Sequence, residues 1–119
     1  LFAGEPRDRP TVQLVGPDAT PRLEGEGYRL RVLGPMELAG RFEWYELDLA
    51  PGGALVSDPH DPGAQEHLTV LAGQIEVASG DTTRRLRTGD TARYAVDRPH
   101  AIRNAGRGEA RALLVVVHP

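Results

Sequence analysis

The chain has 119 residues, a formal net charge of −3, 39% apolar and 26% charged residues, and no cysteine. This length fits one compact domain, and the lack of cysteine excludes disulfides, thiolate metal sites and a thiol nucleophile. All 14 basic residues are arginine, which excludes lysine-based Schiff-base chemistry, and the weakly acidic balance gives no sign of a nucleic-acid-binding surface.

The N-terminal part differs in composition from the rest. Residues 1–27 are rich in proline, glycine and charge, so we predict an extended segment with one short strand at residues 11–15. The chain begins with Leu1 rather than methionine, and we expect it to be a fragment of a longer protein. The sequence shows neither a membrane-spanning apolar run nor a signal-peptide pattern, so we expect a cytoplasmic protein that does not contact the membrane.

From Tyr28 onward, short runs typical of β-strands alternate with glycine- and proline-rich turns. The predicted strands are residues 28–33, 42–49, 66–71, 74–78, 83–86, 91–94, 101–103 and 110–117. Runs of this length, with no amphipathic helix between them, predict an all-β sandwich or barrel over residues 28–119.

Strand alternation predicts which side chains face the interior. In the run 42–49 the face carrying Tyr45 and Leu47 is the better interior face, because the other face would bury two carboxylates. Trp44 then points outward, which suits a dimer contact or cover by the N-terminal segment. Glu66 and His100 fall on the apolar faces of their own strands, whereas His67 points outward.

Two segments carry the residues with the clearest chemical meaning. The first contains His60 and Glu66, with Gly73 closing it, and the second contains His100 and Asn104. Imidazole nitrogen and carboxylate oxygen are donors for zinc, iron, manganese or nickel. We expect Asn104 to hold a turn by binding backbone, and His118 to be frayed near the C-terminus.

These spacings resemble the two motifs of the cupin superfamily. The first motif matches at His60, Glu66 and Gly73, but Pro62 stands where a second histidine is usual, and Gly53 lies one residue too far from His60. The second motif keeps its spacing at Gly89, His100 and Asn104, while Ala95 and Asp97 replace its proline and second glycine. The resemblance implies a cupin-type double-stranded β-helix, a jelly-roll barrel, as a single domain over residues 28–119.

A narrower resemblance exists between the segments PHDPGAQEHLTVLAGQIEV and GDTARYAVDRPHAIRNAG and the C-terminal cupin domain of bacterial helix-turn-helix regulators. It implies a domain that senses a small molecule, with DNA bound only through an N-terminal domain absent from this chain. The lack of a start methionine agrees with this interpretation.

The metal assignment has two alternatives. His60, Glu66 and His100 resemble a two-histidine, one-carboxylate set with open positions for water or ligand. Alternatively, the same three residues line a metal-free polar pocket in which both histidines hydrogen-bond Glu66. In either case Tyr45 and Tyr94 are candidates to contribute phenol groups to the ligand pocket.

Three functions follow from these alternatives. We favour a sensory domain of a transcriptional regulator; the others are a metal-dependent cupin enzyme, such as a dioxygenase or isomerase, and a binding module without metal. No clear second catalytic group is present, which argues against the enzyme and leaves us with no catalytic residue to name. The outward Trp44 and the long apolar strand at residues 112–117 predict a homodimer.

Overall fold

A computed structural model of the protein describes residues 10–119, which form ten β-strands and two short 3₁₀ turns, at Pro17–Ala19 and Met36–Leu38. The strands are β1 Arg22–Gly25, β2 Tyr28–Val32, β3 Phe42–Leu49, β4 Ala54–Ser57, β5 Gln65–Ala72, β6 Ile75–Ser79, β7 Thr82–Leu86, β8 Thr91–Ala95, β9 His100–Asn104 and β10 Ala110–Val117. The predicted all-β architecture is thereby confirmed. Within residues 10–119 no helix has the length and apolarity needed to cross a bilayer.

The strands form two antiparallel sheets. The larger sheet has the order β1-β2-β3-β10-β5-β8, and the smaller has the order β4-β9-β6-β7. Apolar side chains of both sheets meet in one core, which explains the alternation of buried and exposed residues along β5 and β10. The largest fully buried side chains are Leu47, Leu49, Leu68, Ile75, Ile102, Val70 and Val96.

The interior face predicted for β3 is correct. Leu47 and Leu49 are fully buried, and Tyr45 packs against the same core. The side chain of Trp44 lies on the opposite face. The backbone carbonyl of Trp44 accepts hydrogen bonds from the N–H groups of Leu33 and Gly34. A Cβ at Gly34 would lie 3.0 Å from the Trp44 ring, so the turn after β2 covers this indole in part.

The strand predicted at residues 11–15 is wrong. Within residues 10–119 the segment pairs with no strand, and Val12 and Leu14 remain 82% and 92% exposed. Its β-branched residues favour extended backbone, but a strand needs a neighbour to pair with. Two strands absent from the prediction, β1 and β4, lie at sheet edges, where polar or short runs give little alternation to detect.

The glycine that closes the first motif has a structural reason to be there. Gly73 adopts a φ of +82° between β5 and β6, and a Cβ added to it would lie 2.8 Å from the carbonyl oxygen of Glu109. A side chain at this position would therefore be strained both by conformation and by contact. Gly73 fixes the hairpin that follows the strand bearing Glu66.

Candidate metal centre

Three separate elements bring His60, Glu66 and His100 together. Glu66 is the second residue of β5 in the larger sheet, and His100 is the first residue of β9 in the smaller sheet. His60 lies in the loop between β4 and β5, where its backbone N–H donates a 2.7 Å hydrogen bond to the carbonyl of Val96. The predicted site therefore sits at one end of the sandwich, between the two sheets.

The donor atoms of the three side chains converge. Nε2 of His100 is 3.4 Å from Oε2 of Glu66, and Nε2 of His60 is 3.8 Å from the same oxygen. One donor atom from each residue lies within 4.8 Å of the others. Atoms bound at about 2.1 Å to one ion lie roughly 3.0–3.4 Å apart, so small side-chain movements would bring this set onto a common metal ion.

His100 has the orientation expected of a metal ligand. Its Nδ1 is 2.8 Å from the backbone carbonyl of Arg98, which can only accept, so Nδ1 carries a hydrogen and, in the neutral ring, Nε2 presents a lone pair. That Nε2 is buried and has no hydrogen-bond partner in the described part of the chain. A metal ion between this nitrogen and the carboxylate oxygen 3.4 Å away would bind both atoms, and metal-bound histidines use this same backbone anchoring.

Tyr94 orients the carboxylate. Its hydroxyl donates a 2.6 Å hydrogen bond to Oε1 of Glu66, and the two residues are direct cross-strand partners on β8 and β5. Burial raises the pKa of Tyr94 well above its usual value, and the charge and hydrogen bond of Glu66 raise it further. Tyr94 is therefore a neutral donor that leaves Oε2 of Glu66 facing the histidines.

Tyr45 contacts a different carboxylate. Its hydroxyl donates to Oε1 of Glu43 at 2.6 Å, so its direct polar partner is Glu43 rather than Glu66. Burial, and then the Glu43 hydrogen bond, raise the pKa of Tyr45. Val116 on β10 pairs with Glu43 on one side and with Glu66 on the other, so the two glutamates lie in one row across the larger sheet.

His118 is the functional candidate that the sequence analysis missed. The expectation that it is frayed is wrong, because Nε2 of His118 is 2.7 Å from Oε2 of Glu43 and the side chain is 10% exposed. Its ring lies edge-on to His60, with centroids 6.0 Å apart. The available signal was alternation, since His118 continues the interior face of Leu114 and Val116 beyond the end of β10.

Asn104 holds a turn, as expected. Its Nδ2 donates to the carbonyls of Leu49, Ala50 and Gly108 at 2.8–3.2 Å, and its Oδ1 accepts from the N–H of Gly106. These contacts join the end of β9 to the turn after β3. Asn104 therefore supports the frame of the barrel, at the opposite end of β9 from His100.

Comparison with protein families gives one domain match. Residues 45–117 match the family model described as Cupin domain. Among curated proteins, the HTH-type transcriptional regulator SutR of Escherichia coli (strain K12) is 34% identical over 65 residues, which are 55% of this chain and 36% of SutR. The chain thus spans about a third of the length of that relative.

Solved structures show two kinds of similarity. The Cupin_2 domain of an XRE family transcriptional regulator from Enterobacter cloacae has a TM-score of 0.72 and 29% identity, covering 78% of this chain and 98% of that one. Hydroxypropylphosphonic acid epoxidase from S. wedmorenis has a TM-score of 0.73 and 27% identity, covering 90% of this chain and 59% of the epoxidase. An Fe(II) form of HppE is also among the similar structures.

Proposed function

Because this chain belongs to the cupin family, we propose that it is the small-molecule-sensing domain of a bacterial helix-turn-helix transcriptional regulator, with a divalent metal held by His60, Glu66 and His100. The observation that carries the sensor assignment is that the chain covers nearly the whole of a regulator's cupin domain, while SutR supplies the same link by sequence. In this proposal the regulator is a cytoplasmic homodimer, and DNA is bound by a domain outside this chain.

The metal part of the proposal rests on the buried Nε2 of His100. This lone pair has no protein partner in the described residues, and a metal ion between it and Glu66 would satisfy both. Zinc, iron, manganese and nickel all suit two imidazoles and one carboxylate. When bound, such an ion supplies a Lewis-acidic centre with open coordination positions.

The protein's own residues explain why the site would remain open. Pro62 offers no side-chain donor where the family motif has a second histidine, so three protein ligands face the ion. Tyr94 and the Arg98 carbonyl fix Glu66 and His100, while His60 is 37% exposed at the mouth. A small molecule entering past His60 would complete the coordination and shift the equilibrium between conformations that the rest of the regulator detects.

Elemental mass spectrometry tests the metal centre on protein purified without a chelator or a histidine tag. We expect about one equivalent of a transition metal, retained in His67→Ala and lost in His100→Ala. The sensor assignment is tested separately on the full-length protein, by measuring operator affinity with and without a ligand found by thermal-shift screening. Operator binding that no ligand alters would contradict the sensor; a metal-free wild-type protein after supplementation would contradict the metal centre alone.

The similarity to hydroxypropylphosphonic acid epoxidase supports a second candidate, a metal-dependent cupin enzyme. The open three-ligand set is compatible with that function. Turnover of an added substrate by the Fe(II)-loaded protein, lost in His100→Ala and kept in His67→Ala, would favour the enzyme over the sensor.

A further inference from the structure

His118 lies beside the candidate metal centre, with its ring centroid 6.0 Å from that of His60. Its backbone N–H donates a 2.9 Å hydrogen bond to the carbonyl of Arg41, which extends the pairing of β10 with β3 by one step. Val116, two residues earlier, is paired with both Glu43 and Glu66. His118 therefore occupies the next interior position of the same sheet, one pleat beyond Glu66.

Glu43 fixes the orientation of the His118 ring. Oε2 of Glu43 faces Nε2 of His118 at 2.7 Å and also accepts from the N–H of Gly40, while Oε1 accepts from Tyr45. Burial alone would raise the pKa of Glu43, but the hydrogen bonds from Tyr45, His118 and Gly40 together lower it. An ionised Glu43 accepts the hydrogen of Nε2, so in the neutral imidazole the other nitrogen, Nδ1, is an acceptor.

Nδ1 of His118 has no hydrogen-bond partner in the part of the chain that the structure describes, although it is buried. The Asp61 carboxylate is 3.8 Å away, and an acceptor nitrogen gains nothing from a second acceptor. A buried polar atom without a partner destabilises the fold. Binding of a molecule that carries an N–H or O–H group would remove this cost.

Resting on the proposed function, we propose that His118 is a specificity-determining residue whose Nδ1 accepts a hydrogen bond from the ligand in the pocket. The negative charges of Glu43 and Asp61 beside it favour a donor group there and disfavour an anionic one. Glu66 with its two histidines and a metal ion favours an oxygen anion at the other end. The ligand class is then a small carboxylic acid that carries an amino or hydroxyl group.

The test compares three acids of similar size: lactate, alanine and propionate, of which propionate lacks the donor group. Each is titrated by calorimetry into Zn(II)-loaded wild type, His118→Phe and the outward-facing control His67→Phe. Zinc itself prefers a chelating acid, so the preference of each protein is expressed as the Kd of propionate divided by the Kd of lactate or alanine. The measured quantity is this preference in the wild type divided by the preference in the variant. We expect this ratio to be about tenfold for His118→Phe, as for one lost buried hydrogen bond, and close to one for His67→Phe.

Zinc affinity separates this role from metal ligation. We expect His118→Phe to bind Zn(II) as tightly as the wild type. A loss of tenfold or more in zinc affinity would make His118 a metal ligand and overturn the proposal, as would a preference for lactate and alanine that is unchanged in the variant.

A second readout needs no variant and does not depend on the metal. In ¹⁵N spectra of the histidine side chains, lactate or alanine should shift Nδ1 of His118, and propionate should not. If the wild type takes up no zinc, the proposed metal centre fails, and the same spectra of the metal-free protein decide the role of His118. An Nδ1 signal that none of the acids moves overturns the inference in either case.

Discussion

The hydroxyl of Tyr94 donates to one oxygen of Glu66, and the other oxygen of Glu66 faces His60 and His100. The raised pKa of Tyr94, caused first by burial and then by Glu66, keeps the phenol protonated at neutral pH. This one contact therefore determines which carboxylate oxygen faces the two histidines, where the proposed metal ion would bind.

Replacing Tyr94 with phenylalanine is expected to weaken metal binding without removing a metal ligand. Loss of a residue that orients a ligand typically costs about tenfold or more in affinity. Competition with a chromophoric chelator measures the change, with Tyr28→Phe as the control, because Tyr28 packs against the core away from the site. Equal affinities in wild type and Tyr94→Phe would show that Glu66 needs no such orientation.

Replacing His100 with alanine is expected to abolish metal binding, because it removes the best-anchored of the three proposed ligands. His67→Ala is the matched control, since this histidine is next to Glu66 in sequence and on the other face of β5. Metal content per protein, together with circular dichroism to verify the fold, gives the answer. Unchanged metal content in His100→Ala would exclude it as a ligand.

Replacing Glu66 with glutamine should separate folding from metal binding. The amide oxygen can still accept from Tyr94, so we expect the metal-free variant to unfold within a few degrees of the wild type. A metal ion at about 100 times its Kd adds about 2.7 kcal/mol, or roughly 10 °C in Tm for a domain of this size. That shift should be present in the wild type and absent in Glu66→Gln; an equal shift in both would contradict carboxylate ligation.

Asn104 is expected to contribute to stability and not to ligand binding. Asn104→Ala leaves several backbone carbonyls without their donor, so the free energy of unfolding should fall by about 2–3 kcal/mol. Urea denaturation measures the loss, with the exposed neighbour Arg103→Ala as the control. Metal affinity should be the same in the wild type, Asn104→Ala and Arg103→Ala. A selective loss of metal in Asn104→Ala would place this residue in the site.

The Glu43 contacts predict a pH dependence of stability. The pKa of Glu43 is lowered in the folded protein because its hydrogen bonds outweigh its burial. Its ionised form therefore stabilises the fold above the ordinary carboxyl pKa, and this contribution disappears as pH falls through the lowered value. The difference in unfolding free energy between wild type and Glu43→Gln should be constant above the ordinary carboxyl pKa and shrink as the pH falls below it, and a difference that stays constant in acid would contradict this assignment.

The strands that the sequence predicted best are the long ones with clear alternation. The bounds of β3 and β10 are reproduced in full, because turns flank β3, a glycine-rich bend precedes β10, and each strand has a face that must be buried. The segment at residues 11–15 has the composition of a strand but pairs with no strand in the described part of the chain. Pairing is a property of the whole fold, and the order of β10 between β3 and β5 cannot be deduced from any local pattern.

Spacing alone was sufficient to nominate His60, Glu66 and His100, which the fold brings together. It could not show that Tyr94 and Tyr45 divide between two carboxylates, since that depends on the register of four strands. His118 was missed because its partner Glu43 lies 75 residues earlier. A residue near a chain end looks mobile until its long-range contact is known.

Glu66 and His100 belong to different sheets, and the core between these sheets is apolar. A metal ion that joins them would act as a cross-link at the open end of the sandwich, opposing the separation of β5 from β9. Binding of the ion would then reduce the local opening of β5 and β9 more than it changes the shape of the domain. Amide hydrogen exchange in both strands would become slower.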